Sequence, residues 1–81
     1  MLASIGPKAK MARRLTVISC RKEAGLTQAQ LADALGWAQS SVSDLEKGIR
    51  GLDVAEVPML AKALKMKPMK LFKLFLAHLE N

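Results

Sequence analysis

Four side chains with directional hydrogen-bonding chemistry fall together in this chain: Gln39, Ser40, Ser43 and Asp44. If the segment is helical, their spacing places them on one side of it. An amide, two hydroxyls and a carboxylate in that array offer fixed donors and acceptors to the polar edge of another molecule. They do not amount to a bond-breaking site. A serine or cysteine nucleophile needs a base beside it, and the single histidine, His78, has no sequence signature linking it to Ser40, Ser41, Ser43 or Cys20. Phosphate-binding glycine loops, metal-ligand clusters and paired-carboxylate motifs are not recognisable either. The expectation is a chain that is not an enzyme and takes no metal and no cofactor. Cys20, without a second cysteine, is expected to be a buried or half-buried thiol in the first helix.

Two short helices hinged at Gly36 are required to hold that polar edge. Thr27 followed three residues later by Gln30 is a capping-box pair, which satisfies orphan amides at a helix start. Leu31, Ala32 and Leu35 then recur at helical spacing and face a core. Gly36 stands where the helix must stop in a left-handed backbone conformation, and Gly48 closes the next segment. In that next segment Ala38, Val42 and Leu45 form the apolar stripe, so Gln39, Ser40, Ser43 and Asp44 project away from it. Ala32 is small enough to let the two helices cross closely.

Taken in order, Gly25-Leu26-Thr27-Gln28, Gly36, Gln39-Ser40-Ser41-Val42-Ser43 and Leu45-Glu46-Lys47-Gly48 resemble the helix-turn-helix of the phage repressor, Cro and Xre-like regulators, and the resemblance runs from about Arg13 to about Phe72. It implies an all-α, five-helix, lambda-repressor-like DNA-binding domain whose helices two and three form the helix-turn-helix. It also implies a sequence-specific double-stranded DNA-binding transcriptional regulator, a repressor holding a palindromic operator as a homodimer. Two related alternatives share the fold: an antitoxin-type interaction partner of a toxin, and a restriction-modification controller protein. By the same resemblance Gln39, Ser40, Ser43 and Asp44 make the base contacts. A glutamine there bonds adenine at N6 and N7, serine accommodates several bases, and Asp44 accepts from cytosine N4 or repels phosphate. Gln28, Lys47, Arg50 and Arg14 are the expected phosphate contacts, with Gln28 also bracing Gln39.

Arg21 and Glu46 match a family pair that ties helix one to the end of helix three. Four residues depart from the pattern, one of them Asp44, which stands where a basic or amide residue is common. Ala38 lacks the hydroxyl that caps helix three, Lys67 places the wrong charge at the start of helix five, and Trp37 stands where a small aliphatic residue is usual. Trp37 is expected to cover the domain's hydrophobic edge.

The net charge of +6 is unevenly spread. Met1 to Lys22 carries six basic residues and no acidic one, whereas Glu23 to Glu46 carries four acidic residues and no lysine or arginine. Attraction to phosphate must therefore come from the flanks of the motif and from amides at helix starts. Lys62, Lys65, Lys70 and Lys73 are expected on solvated helix faces.

At 81 residues and 51% apolar content the chain supports one small helical domain. Residues 1–10 are expected to be a short basic arm and 11–81 the domain. Helix one is expected from near Lys8 to Ala24, with Leu15, Ile18 and Met11 inward and Gly25 as its stop; Leu26 plugs the core. Asp53 and Glu56 cap helix four, which carries Val57, Leu60, Ala61 and Leu64. Pro58 distorts its start, and Pro68 opens a fifth helix that runs through Leu79. Met59, Met66 and Met69 are expected as core filler. Phe72, Phe75, Leu76 and Leu79 form a stripe on the last helix, which Leu71 and Leu74 widen beyond what one small core requires. Two-fold pairing through Phe72, Phe75, Leu76 and Leu79 is the expected use, with a different protein partner on this helix as the alternative. His78 is expected at the surface or in that interface. No apolar run is long enough to span a membrane. The opening residues lack a secretory signal's apolar segment and cleavage site, so a cytoplasmic location is expected.

Overall fold

The computed structural model describes residues 6–80. Helix α1 spans Pro7–Glu23, α2 Gln28–Leu35, α3 Gln39–Lys47, α4 Val57–Ala63 and α5 Pro68–Glu80, with a 3-10 turn at Val54–Glu56 leading directly into α4. No strand occurs among the described residues. Because α1 begins at Pro7, residues 7–10 of the expected basic arm are its first turn; residues 1–5 lie outside the described residues.

Local signals set these boundaries. Thr27 and Gln30 form the reciprocal capping box, with the Gln30 amide donating to Thr27 Oγ1 at 3.1 Å and the Thr27 amide to Gln30 Oε1 at 2.8 Å. Gly36 ends α2 at φ +70° and Gly48 ends α3 at φ +81°, a conformation that costs residues with a Cβ more. Gly48 has a second constraint. A Cβ there would lie 3.0 Å from Arg14 Cδ and 3.1 Å from Lys10 Cδ, so the end of α3 seats directly against α1. Asp53 and Glu56 form a capping box as expected, but on the 3-10 turn. That turn is the distortion expected from Pro58, which falls in the first turn of α4, where a missing amide leaves no intrahelical bond unmade.

The core joins Val17 and Cys20 of α1, Leu31, Ala32 and Leu35 of α2, Val42 and Leu45 of α3, Leu60 and Ala61 of α4, Leu64, and Leu71 of α5. Burying a Val or Leu side chain contributes about 1.5–3 kcal/mol, so these contacts hold α2 and α3 in one frame. Three expectations about the core need correction. Met11 and Leu15 are exposed and Ile18 is half-buried, because α1 turns Ala12, Thr16, Val17 and Cys20 inward, and the small Ala12 and Thr16 let α5 approach. Met59 and Met69 are likewise exposed, and only Met66 packs on the core. On α5 the inward residues are Leu71, Leu74, Phe75 and His78, a helical i, i+3, i+4, i+7 set. Thus Leu71 and Leu74 are the core-facing residues rather than the excess, while Phe72 and Leu76 are exposed. His78 is half-buried, its Nδ1 lying 2.9 Å from Thr16 Oγ1. That hydroxyl donates to the Ala12 carbonyl at 2.7 Å, so its lone pair accepts from His78 Nδ1–H.

Candidate nucleic-acid interface

The polar edge of α3 lies open to solvent. Gln39 and Ser40 are exposed, Ser43 and Asp44 half-buried, and Lys47 is exposed one turn further on. Their side chains make no hydrogen bond or ion pair with any described residue. On the opposite side Val42 and Leu45 are fully buried. Ala38 provides no side-chain cap, so the first amides of α3 lack an internal side-chain acceptor. The start of this helix therefore presents free N–H groups beside free side-chain donors and acceptors.

Glu46 fixes the angle of that edge. Its side chain is 5% exposed, and its carboxylate accepts a two-pronged bond from Arg21, Nε to Oε2 at 2.6 Å and Nη2 to Oε1 at 3.0 Å. Oε1 also accepts from Gln28 Nε2 at 3.0 Å. Arg21 Nη1 donates to the Leu26 carbonyl at 2.9 Å, which pins the α1–α2 connection to the same centre. Arg14 Nε donates to the backbone carbonyl of Glu46 at 2.8 Å, placing a cation at the carboxyl end of α3, where the helix dipole favours it. Burial alone would push the Glu46 carboxyl up. The bonds from Arg21 and Gln28, with the Arg21 charge, outweigh it and hold Glu46 below the ordinary carboxylate range. Its partner Arg21 is correspondingly raised, chiefly by the bond to Glu46.

The expected Arg21–Glu46 tie is thus present, and Gln28 belongs to it. Gln28 braces Glu46 and not Gln39, because a carboxylate with spare lone pairs lies within reach of the first turn of α2. That third member carries no signal in the sequence beyond its position at the helix start.

Arg50, expected on phosphate, has a different immediate setting. Its guanidinium carbon stands 4.1 Å from the centroid of Trp37, a cation–π stack. Nη2 donates to Glu56 Oε2 at 2.8 Å and Nη1 to Oε1 at 3.3 Å. Glu56 in turn is held below the usual carboxylate range, first by its bond from Arg50 and then by the Asp53 amide. Trp37 packs on the core edge, as expected, and also carries this cation. Lys10, Arg14, Lys47 and Arg50 all belong to the segments that meet at the end of α3.

The α5 residues expected to pair two copies are divided. Phe72 and Leu76 are exposed, Phe75 and Leu79 half-buried, and the Phe72 and Phe75 rings stack with centroids 6.0 Å apart. The Cys20 thiol is buried, as expected, and burial pushes it up from its ordinary value. No group of metal-ligating side chains and no helix long and apolar enough to cross a membrane occurs among the described residues.

A helix-turn-helix family model matches residues 17–71. Among solved structures, an XRE-family-like protein from Pseudomonas syringae pv. tomato is 33% identical, with a TM-score of 0.73, over 86% of this chain and 84% of that one. The clp gene regulator ClgR from C. glutamicum is 19% identical with a TM-score of 0.80, over 95% of this chain and 99% of that one. The restriction-modification controller protein C.Esp1396I, solved as a tetramer in complex with its natural 35 base-pair operator, is 19% identical with a TM-score of 0.82, over 90% of this chain and 96% of that one. At these identities the last two show likeness of fold.

Proposed function

The chain belongs to the XRE-like helix-turn-helix family, and from that premise we propose that it is a sequence-specific double-stranded DNA-binding regulator of transcription, a repressor that grips a palindromic operator as a homodimer. The observation that carries this reading is the free polar edge of α3, held rigidly from behind by Glu46 while engaging nothing in front. Gln39 supplies adenine selectivity through paired hydrogen bonds, and Ser40 and Ser43 make permissive contacts to neighbouring bases. Asp44 accepts from cytosine and excludes phosphate from its side of the groove. Lys47 neutralises phosphate directly. Arg14 and Arg50 do so with the N–H groups left over from their internal bonds, each guanidinium carrying five. Gln28 acts through the amide end of α2 and keeps its side chain on Glu46.

Self-pairing through Phe72, Phe75, Leu76 and Leu79 completes the proposal. Two copies related by a two-fold axis would place their α3 edges one DNA turn apart, about 34 Å. The controller protein cited above binds its operator as a tetramer, and a controller role is one specific form of the same proposal. An antitoxin role would use the α5 stripe on a different protein.

Selection of bound sites from random duplex DNA at two salt concentrations tests the reading, since electrostatic attachment falls with salt while base discrimination persists. The expected outcome is an enriched inverted repeat at both concentrations. Absence of enrichment at either would refute it.

A further inference from the structure

Arg50 lies on the loop after α3, and that loop is tied back to the helix: the amides of Ile49 and Arg50 both donate to the Asp44 carbonyl, at 2.9 and 3.1 Å. Arg13 Nη2 donates in turn to the Arg50 carbonyl at 3.3 Å. The backbone under this guanidinium is therefore fixed to Asp44, a residue of the polar edge. The guanidinium itself is held on two further sides. One face covers the Trp37 ring at 4.1 Å. The fork at its tip donates to both oxygens of Glu56, and Nη1 also donates to the Gly51 carbonyl at 2.9 Å. Glu56 is anchored as well, since its Oε1 accepts from the Asp53 amide at 2.9 Å.

Of the five N–H groups of a guanidinium, these bonds occupy both on Nη1 and one on Nη2. The two left over, on Nε and Nη2, point the same way along one lateral edge, the edge with which Arg21 grips Glu46. Nε of Arg50 bonds to no described residue and is not buried, in a side chain that is 31% exposed. Taking the DNA-reading proposal as premise, we infer that this edge is a two-pronged site for one phosphodiester of the duplex backbone, and that Glu56, with Trp37 behind, is the positioning residue that aims it. Two parallel N–H groups match two oxygens of one phosphate, which a lysine ammonium does not. No internal bond has to break: Glu56 keeps the tip while phosphate takes the edge. A side chain already fixed in place also gives up less freedom on contact.

Charge-conserving substitutions separate aim from charge. Binding of the intact chain to a labelled random-sequence duplex is followed by fluorescence anisotropy across a salt series, for the wild type, Arg50→Lys, Glu56→Asp and the double variant. Each single variant is expected to bind about fivefold more weakly. The salt slope stays the same because no charge is lost, and combining the two adds no further loss. In nitrogen-15 NMR without DNA, the two Nη groups of Arg50 are expected to give separate signals in the wild type, where the fork is held, and to merge in Glu56→Asp. Binding by Arg50→Lys equal to the wild type would overturn the proposal, since a point charge would then suffice. So would a merged Nη signal in the wild type, or a Glu56→Asp loss that persists undiminished in the Arg50→Lys background, the sign of a general loosening of the fold. Failure of the wild type itself to bind duplex at low salt is a different result: it defeats the DNA-reading proposal, and this site with it.

Discussion

Replacing Glu46 with alanine removes the one carboxylate that α1, α2 and α3 share. Arg21, whose side chain is 12% exposed, then keeps its charge in a largely dry site with only the Leu26 carbonyl left to it, and Gln28 Nε2 loses its acceptor. Stranding one partner of a buried pair costs about 3–5 kcal/mol, and the loss of the Gln28 bond to a charged acceptor adds about 1.5–3 kcal/mol. A domain of this length has roughly 4–12 kcal/mol of total stability, so the variant lies near the edge of folding. At about 4–8 °C per kcal/mol for a domain of this size, its melting temperature is expected to fall by 15 °C or more. Asp33→Ala serves as the control: Asp33 is exposed and carries no ion pair, so its effect stays within about 0.5 kcal/mol. Thermal unfolding followed by helical circular dichroism at neutral pH separates the two. Equal shifts would refute the reasoning. A further arm distinguishes a stranded charge from simple loss of contact: in Arg21→Met with Glu46→Leu no charge remains buried, so the double variant is expected to be more stable than Glu46→Ala. If it is less stable, desolvation of Arg21 is not the cause.

Because Glu46 lies below its ordinary range when folded, its contribution is complete above the unfolded carboxylate value of about 4.3 and is lost as pH falls through the lower folded value; acid titration of stability is expected to show this decline in the wild type, and a flat response there would contradict it. Gly48→Ala is expected to destabilise more than Gly25→Ala in chemical unfolding, since both hold positive φ but only at Gly48 does the new methyl meet Lys10 and Arg14. Gln39→Ala is expected to cost about 1–3 kcal/mol at the preferred site and relax selectivity at one base pair, whereas Lys47→Ala weakens all sites alike and lowers the salt slope by about one, as measured by fluorescence anisotropy. Phe72→Asp with Leu76→Asp is expected to shift sedimentation toward the monomer, and an unchanged sedimentation profile would place self-association elsewhere.

Much of the frame was legible because it rests on local chemistry. Thr27 with Gln30, Gly36, Gly48 and Pro68 each act within a few residues, and each marks a helix end in the structure. Val42 and Leu45 likewise followed from periodicity alone and are completely buried. The errors came where one helix offers two apolar stripes. In α1, Met11, Leu15 and Ile18 repeat as regularly as Ala12, Thr16 and Cys20, and the choice between them is made by what packs against the helix. On α5 the same ambiguity exchanged Leu71 and Leu74 with their outward neighbours. The Glu46 tie was readable from the resemblance, but Gln28 as its third partner was not, because a glutamine at a helix start has no periodic or spacing signature. Trp37 over Arg50 was hidden for another reason: the contact bridges a turn and a loop 13 positions apart, and nothing in the intervening sequence encodes their approach.

Glu46 and its partners hold α3 from behind, while the outward side chains of Gln39, Ser40 and Ser43 bond to nothing among the described residues. If those outward positions read DNA as proposed, folding and target preference are written in separate residues. Duplicated copies of such a gene would be free to drift in operator choice by exchanging those outward positions one at a time, each intermediate still a stable protein, so that new regulatory circuits arise without passing through an unfolded ancestor.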